Sequence, residues 1–517
     1  MRPRVIAFLL AVILVLASAF RVPALSTYGF SDDEAAKIRA VEAYRHGDFS
    51  ANAEHPMLLK LMMWGTMAAA DRWNGVVGES WRMTAEGALR LPNVVAGVLT
   101  VAAVYGVSAM LFGPVIALCA AAIVAVDPNI TAINRIGKED TLLMLFFLIA
   151  VYCYERAKKV VDVNRVRADR WYLWCGASFG LMLASKYMPH MYGLYALYNV
   201  STTGERPNSG PDRIRLHAVM AAAFIAANVA IVFPSTGHYI ATYVGGGTLN
   251  HHGEMYENQL YVTNAAVSLA GVPFTYYFNL IGTKVPILVL ACALAGIVPL
   301  IRRRHERGFV WLRIFLIFLM LGYSVMAAKF QRYSLPILVF IDILAAVGVV
   351  TTMTWLAHRI QRAAVRRAVL GVGCGIVVCT LIVDSAKITP FYSMHQNVIG
   401  SHLAPPGTRF PEEAYDYGVR EAVADIARVA PRGAAIVSDT PEVVEYYLAR
   451  TGRHDIEVRS LSMQGTAWRR EQWVLVQNDH IYFENVSFVE YLRREQQPWR
   501  EYAVMKTPVL QAFHLPS

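Results

Sequence analysis

Charge is scarce in this sequence. Only 17% of its 517 residues are Asp, Glu, Lys or Arg, whereas 56% fall in the AVILMFWYC set. A soluble domain carries roughly 25% charged residues, so these are too few to cover a water-facing surface of this size. That excludes a soluble enzyme, and it excludes disorder and coiled coil, which need still more charge. Cysteine is sparse too. The six, Cys119, Cys153, Cys175, Cys292, Cys374 and Cys379, all lie inside apolar stretches. None is placed for a disulfide in an external loop, and no pair has metal-ligand spacing. Internal repeats and low-complexity stretches are missing. With a mean hydropathy of +0.37, what remains is a polytopic α-helical membrane protein built from apolar blocks of about 20 residues.

The formal charge of +10 comes from 48 Lys and Arg against 38 Asp and Glu. In a soluble chain this excess would suggest a nucleic-acid partner; in a membrane chain the first question is whether it marks the cytoplasmic loops. No nucleic-acid partner is expected. The apolar run at 5–20 reads as a first span or as a signal peptide, with Ala17-Ser18-Ala19 resembling a cleavage site. Further blocks lie at 88–112, 115–133, 141–155, 171–200, 217–234, 285–301, 309–328, 334–357 and 368–386. The 171–200 block decides the topology. If it breaks near Ser185-Lys186-Tyr187-Met188-Pro189, three basic clusters share the cytoplasmic side: Arg156 to Arg170, Arg302 to Arg307, and Arg359 to Arg367. The resulting expectation is about eleven spans, N-terminus inside and C-terminus outside. Residues 1–386 form the membrane domain and 387–517 an external α/β domain. In that tail 411–430 reads as a helix, 434–439 as a strand, 441–450 as a helix and 473–477 as a strand. The remaining external parts are loop 23–87, with an interfacial helix near 57–70 that Pro56 would open at its first position, and loop 235–270.

Four groups could carry chemistry. Ser31-Asp32-Asp33-Glu34 fits a helix capping box, and a carboxylate there could also act as general base on a hydroxyl. Glu54-His55-Pro56 with Lys60 reads as a helix start with a snorkelling lysine. Arg135 and Asp140 bracket the start of a span, where arginine suits a phosphate. Lys186, and the pair Arg332 and Tyr333, fall at outer helix junctions. Lys60, Arg135, Lys186 and Arg332 therefore all sit at the outer face, against the positive-inside trend. A shared anionic ligand at bilayer depth, a lipid phosphate, explains them together.

The order of these motifs resembles a known family. Asp33-Glu34, then Tyr44 and Gly47, then His55-Pro56-x-Leu58-x-Lys60 is similar to the first-loop DE … HPPLGK signature of the protein O-mannosyltransferases. Arg90-Leu91-Pro92, Asn134-Arg135 … Asp140-Thr141-Leu142-Leu143 and Gly180-Leu181-x-x-x-Ser185-Lys186 resemble the motifs that follow in that family. Arg332-Tyr333-x-Leu335-Pro336 is similar to a segment of the related bacterial aminoarabinose transferases. The resemblance runs in order through residues 5–345.

This resemblance implies a GT-C fold. The implied activity is transfer of one sugar, mannose or similar, from a polyprenyl-phosphate carrier to an acceptor hydroxyl on a protein, glycan or lipid, at the non-cytoplasmic face and with inversion. It implies no cofactor and no divalent metal. Asp33 would be the base, with Asp32 one residue away as the alternative, and Glu34 its partner. Arg135 and Lys186 would contact phosphate, while His55 and Lys60 would shape the loop. The chain departs from the family pattern at Met57, which replaces the second proline, and at Asn134, where serine is usual. No inserted domain occupies 235–270, which with the Ala-rich composition points to a bacterial inner membrane. That loop holds Gly245-Gly246-Gly247, then His251, His252, Glu254 and Glu257. The ligand types suit a metal but the spacing specifies no geometry, so a mobile loop over acceptor or sugar is the expectation. The competing class is a transporter or flippase of a lipid-linked sugar, which would place charge at mid-bilayer on repeat-related broken helices.

Overall fold

The computed structural model describes residues 2–202, 210–244, 251–263, 269–462 and 471–516, with the backbone alone for Tyr239, Tyr243, Val244, His251 and His252. Gly245-Gly246-Gly247 lies outside the described residues. The N-terminal half runs α1 (Pro3–Arg21), α2 (Asp32–Arg45), α3 (Met57–Asn74), α4 (Ala85–Leu111), α5 (Pro114–Val126), α6 (Pro128–Asn134), α7 (Asp140–Val160), α8 (Arg165–Ser185), α9 (His190–Thr202) and α10 (Arg213–Ala227). Side chains set several starts: Thr84, Asp127, Asn164 and Asp212 each accept a backbone N–H from the first turn of α4, α6, α8 and α10. Pro56 stands just before the first helical residue of α3 rather than at it. The chain continues through α11 (Pro234–Val244), the hairpin β1 (His251–Tyr256) and β2 (Gln259–Thr263), then α12 (Tyr276–Lys284), α13 (Ile287–Arg302), α14 (Arg307–Ser324), α15 (Leu335–Leu356), α16 (Ala363–Ile388) and α17 (Val398–Leu403).

Among the described residues, five helical stretches are long and apolar enough to cross a bilayer: Pro3–Arg21, Glu79–Leu111, Arg307–Ser324, Gln331–Leu356 and Ala363–Ile388. Two bent pairs bring the number to seven, α5 with α6 at 64° and α12 with α13 at 118°. The chain is a multi-pass membrane protein. Four further expected spans coincide with α7, α8, α9 and α10, which are helical but shorter or charged at their ends.

The 171–200 block does break. α8 ends at Ser185, Lys186 is extended (φ −152°, ψ 137°), and α9 starts at His190. Pro189 has no N–H to give and disfavours a helical residue before it. Two ion pairs then sort the helix ends. Arg307 Nη2 lies 2.7 Å from Glu155, which brings the α7–α8 turn to the α13–α14 turn at one end of the bundle. Lys186 lies 2.6 Å from Asp140 and over the Tyr333 ring, at the other end.

The tail folds as α18 (Val419–Val429), β3 (Ala435–Val437), α19 (Pro441–Arg450), β4 (Glu457–Arg459), β5 (Gln472–Gln477), α20 (Val486–Glu495), β6 (Arg500–Val504) and β7 (Thr507–Leu515). The sheet order is β4-β3-β5-β7-β6, parallel through β5 and antiparallel beyond it. The single helix expected over 411–430 is instead a 3₁₀ turn at Pro411–Ala414 followed by α18. Tyr415, Asp416 and Gly418 have φ of 45°, 57° and 94°, a left-handed stretch no α-helix can pass through. The sheet domain is not a separate body. Phe30, Ala35 and Leu59 share one apolar core with Val423, Ile436 and Tyr447, so loop 23–87 is clamped between bundle and tail.

Candidate functional site

The site begins at the first turn of α2. Asp33 and Glu34 are adjacent, yet their carboxylates meet different surroundings. Glu34 is fully buried and accepts a bidentate pair from Arg90 (2.8 and 2.6 Å), the Gly137 N–H (2.8 Å) and the Ser31 N–H (3.1 Å). Arg90 spends its other N–H groups on the carbonyls of Leu25, Tyr28 and Gly29. Burial would raise the Glu34 carboxyl, but Arg90 and the two N–H groups outweigh it and hold it below the usual range. Glu34 therefore fastens the first loop to α4 rather than meeting the cavity.

Asp33 keeps 37% of its side-chain surface exposed and faces three cations. Lys138 contacts it directly, Arg332 lies at 3.9 Å, and Lys37 is near. Against the effect of burial, these hold its carboxyl well below the ordinary range, so it stays ionised. Burial pushes Lys138 down to about 8, with Asp33 opposing.

A cavity of about 300 Å³ opens at Asp33, lined also by Asp32, Glu254, Arg332, Glu412, Tyr415 and the 479–482 segment of the tail. Arg332 is held from both sides: Glu412 Oε1 is 2.7 Å from its Nη1, and Phe330 stacks 4.2 Å beneath it. Glu412 also accepts the Gln331 N–H at 2.6 Å. Beside Arg332, the Tyr333 ring carries Lys186 at 4.2 Å, and Lys186 is paired to Asp140. Glu254, on β1, accepts the Lys329 N–H at 2.9 Å, and burial together with Glu412 pushes its carboxyl up to about 8. Asp33, Asp140, Lys186, Glu254, Arg332 and Tyr333 are thus brought together. The His251 and His252 side chains lie outside the described residues.

Two expected phosphate contacts lie elsewhere. Arg135 is buried with its guanidinium on the carbonyls of Phe20, Arg21, Pro23 and Ala24, closing the end of α1. Lys60 is equally buried and donates to the carbonyls of Ala51, Asn52 and His55, which makes it a loop staple. Burial holds the His55 imidazole neutral, at about 3, against the pull of Glu139. It backs the Lys37–Glu139 pair (3.0 Å) behind Lys138.

Lys138 and Glu412 are site residues beyond those the sequence motifs name. Lys138 stands inside the Asn134 to Asp140 run, where a third charge between Arg135 and Asp140 is its only local signal. Glu412 had none, because its place depends on the tail folding back. For a metal, the described residues offer one grouping of three ligands, Asp416, Asp479 and His480.

Residues 81–233 match the family model described as dolichyl-phosphate-mannose-protein mannosyltransferase. No curated protein matches the chain. Among solved structures, ArnT from Cupriavidus metallidurans bound to undecaprenyl phosphate superposes with a TM-score of 0.52 at 14% identity, over 99% of this chain and 98% of that one. The apo state of the same protein gives 0.51 at 16% identity, over 98% and 97%.

Proposed function

Since the chain is a relative of the dolichyl-phosphate-mannose protein mannosyltransferases on a GT-C fold, we propose that it transfers one sugar from a polyprenyl-phosphate carrier to an acceptor hydroxyl. The observation that carries this reading is the ionised Asp33 facing Arg332 across a cavity at one end of the helix bundle. The ArnT complex with undecaprenyl phosphate, alike in fold, supports a lipid-phosphate donor. In this reading the cavity end faces the extracytoplasmic side of a bacterial inner membrane, because all three basic clusters gather toward the opposite end. The N-terminus is cytoplasmic, the tail external, and α7 to α10 complete about eleven spans.

The chemistry follows from charge. Cleaving the sugar–phosphate bond builds negative charge on the leaving phosphate, which Arg332 at the cavity, with Lys186 behind it over the Tyr333 ring, would stabilise. Asp33 takes the acceptor's hydroxyl proton as that oxygen attacks the anomeric carbon from the opposite face, inverting it. Lys138 keeps Asp33 ionised until the proton arrives. Pairing with Glu412 and Asp140 fixes both phosphate-facing cations in place before the donor binds.

The test is transfer of labelled sugar from a polyprenyl-phosphate donor by purified protein in proteoliposomes. Asp33→Asn is expected to lower turnover by about 10²–10⁴ with donor binding kept. Normal transfer by Asp33→Asn together with loss in Asp32→Asn would move the base by one residue; normal transfer by both would sink the assignment.

A further inference from the structure

The tail's wall of the cavity carries a second constellation that sugar transfer does not use. His480, Asp416 and Asp479 present one ligand atom each, all within 4.8 Å of one another. His480 Nε2 points at Asp416 Oδ1 (2.7 Å) and Asp479 Oδ2 (4.0 Å), while its Nδ1 is tied to the Tyr482 hydroxyl at 2.7 Å. That second tie leaves Nε2 as the outward, ligating nitrogen.

The supporting contacts are those of a built site. Asp416 Oδ2 accepts the Asp32 N–H at 2.7 Å, and its Oδ1 takes the Gln477 amide. Gln477 Oε1 in turn accepts from Thr440 Oγ1 at 2.9 Å and Ser438 Oγ at 3.3 Å. The Asp416 N–H donates to Asp479 Oδ2 at 3.4 Å. Asp416 itself sits at φ 57°, a strained conformation for a non-glycine residue that aims its carboxylate inward. One atom is left over: Asp479 Oδ1 is buried and has no hydrogen-bond partner among the described residues. A buried carboxylate oxygen without a donor is costly, and a plain His–Asp ion pair does not account for it.

We propose that Asp416, Asp479 and His480 bind a divalent transition-metal ion, with Zn²⁺ or Mn²⁺ as the fitting class. One imidazole with two carboxylates suits these ions better than Mg²⁺ or Ca²⁺, which prefer all-oxygen shells. Ligand atoms this close gather round an ion at about 2.0–2.2 Å by small side-chain rotations. The open side of the ion faces the cavity shared with Asp33 and Arg332. Because Asp416 also holds the first N–H of α2, the ion would fasten the tail to the helix that carries Asp33. Its role is to position that helix and to offer a coordination site to an oxygen of the bound substrate.

The experiment measures metal retained by full-length protein in detergent. The protein is stripped with EDTA, dialysed against about 10 μM Zn²⁺ and analysed by elemental mass spectrometry. Wild type is expected to hold one equivalent, and His480→Ala and Asp479→Asn less than a tenth of that. Tyr482→Phe keeps all three ligands and is expected to weaken binding about 10–100-fold, which guards against a result caused by misfolding. Co²⁺ loading should give a visible d–d spectrum in wild type that is missing in His480→Ala. No metal retained by wild type overturns the proposal. So does retention that survives His480→Ala and is lost in a His251→Ala/His252→Ala protein, which would put the ion on the β1 hairpin.

Discussion

Asp33 and Glu34 differ by one position along α2, and that rotation alone separates a cavity-facing carboxylate from a buried anchor. The Glu34–Arg90 pair is 1% exposed on both sides, so removing one partner strands a buried charge. Arg90→Met should cost about 3–5 kcal/mol, read as a large fall in Tm and in yield, whereas Asp33→Asn, at a side chain 37% exposed, should lower Tm less. Lys138 sets a pH limit. Its ammonium is held at about 8, so above that pH the cation beside Asp33 disappears and transfer should decline. Lys138→Arg stays charged and should carry the decline to higher pH; an unmoved alkaline limb would remove Lys138 from the account. His55 gives a stability signal of the opposite origin. Folded, it titrates at about 3; unfolded, near 6.5. Between these values the unfolded chain binds the extra proton, so stability is fully present above about pH 6.5 and is lost as pH falls toward 3. In thermal melts across that window, His55→Gln should show a shallower fall than wild type.

At the scale of elements, close backbone approach is what the bundle demands. A Cβ on Gly348 would lie 1.9 Å from the Cys292 carbonyl oxygen, and one on Gly296 would lie 2.3 Å from that of Leu344. α13 and α15 therefore touch backbone to backbone, as small residues permit inside a membrane. Gly348→Leu should force them apart and lower Tm, while Gly322→Leu, with nothing within 4 Å, should be tolerated. The α8–α9 break is the other decisive element feature, because it turns Lys186 toward Tyr333 instead of continuing a helix past it. The break is legible in the sequence, through Pro189 and the basic clusters; the α13–α15 contact is not, because a glycine in an apolar block does not say which helix it meets. The division of 411–430 was not readable, since Tyr415 and Asp416 are ordinary helix-tolerant residues held left-handed only by the surroundings they meet.

For the whole molecule, the tail completes the site. Glu412 fixes Arg332, and the next residue, Glu413, forms a fully buried pair with Lys284 at 2.8 Å, linking the tail to the bend between α12 and α13. Lys284→Met should destabilise by about 3–5 kcal/mol, and adding Glu413→Leu should recover much of it, because the second change removes the stranded carboxylate. If the double variant is no more stable than the single one in thermal melts, the pair is not what joins the two parts.

The sequence by itself determined the membrane class, and it named Asp33, Glu254, Lys186 and Arg332 among the residues that meet at the candidate site. These follow from hydropathy, from positive charge and from short-range motifs, each of which acts over a few residues. Tertiary structure decided which of these cations stand beside carboxylates at the candidate site and which hold backbone carbonyls of a loop. Arg135 and Lys60 fit the sequence pattern as well as Lys186 and Arg332 do, but their donors are taken by carbonyls at the end of α1 and in loop 51–55. Only a folded chain shows where a cation's hydrogen bonds are spent. The tail's Glu412 reaches Arg332 across 80 residues and Asp416 reaches the Asp32 N–H across 384, separations for which no local pattern exists.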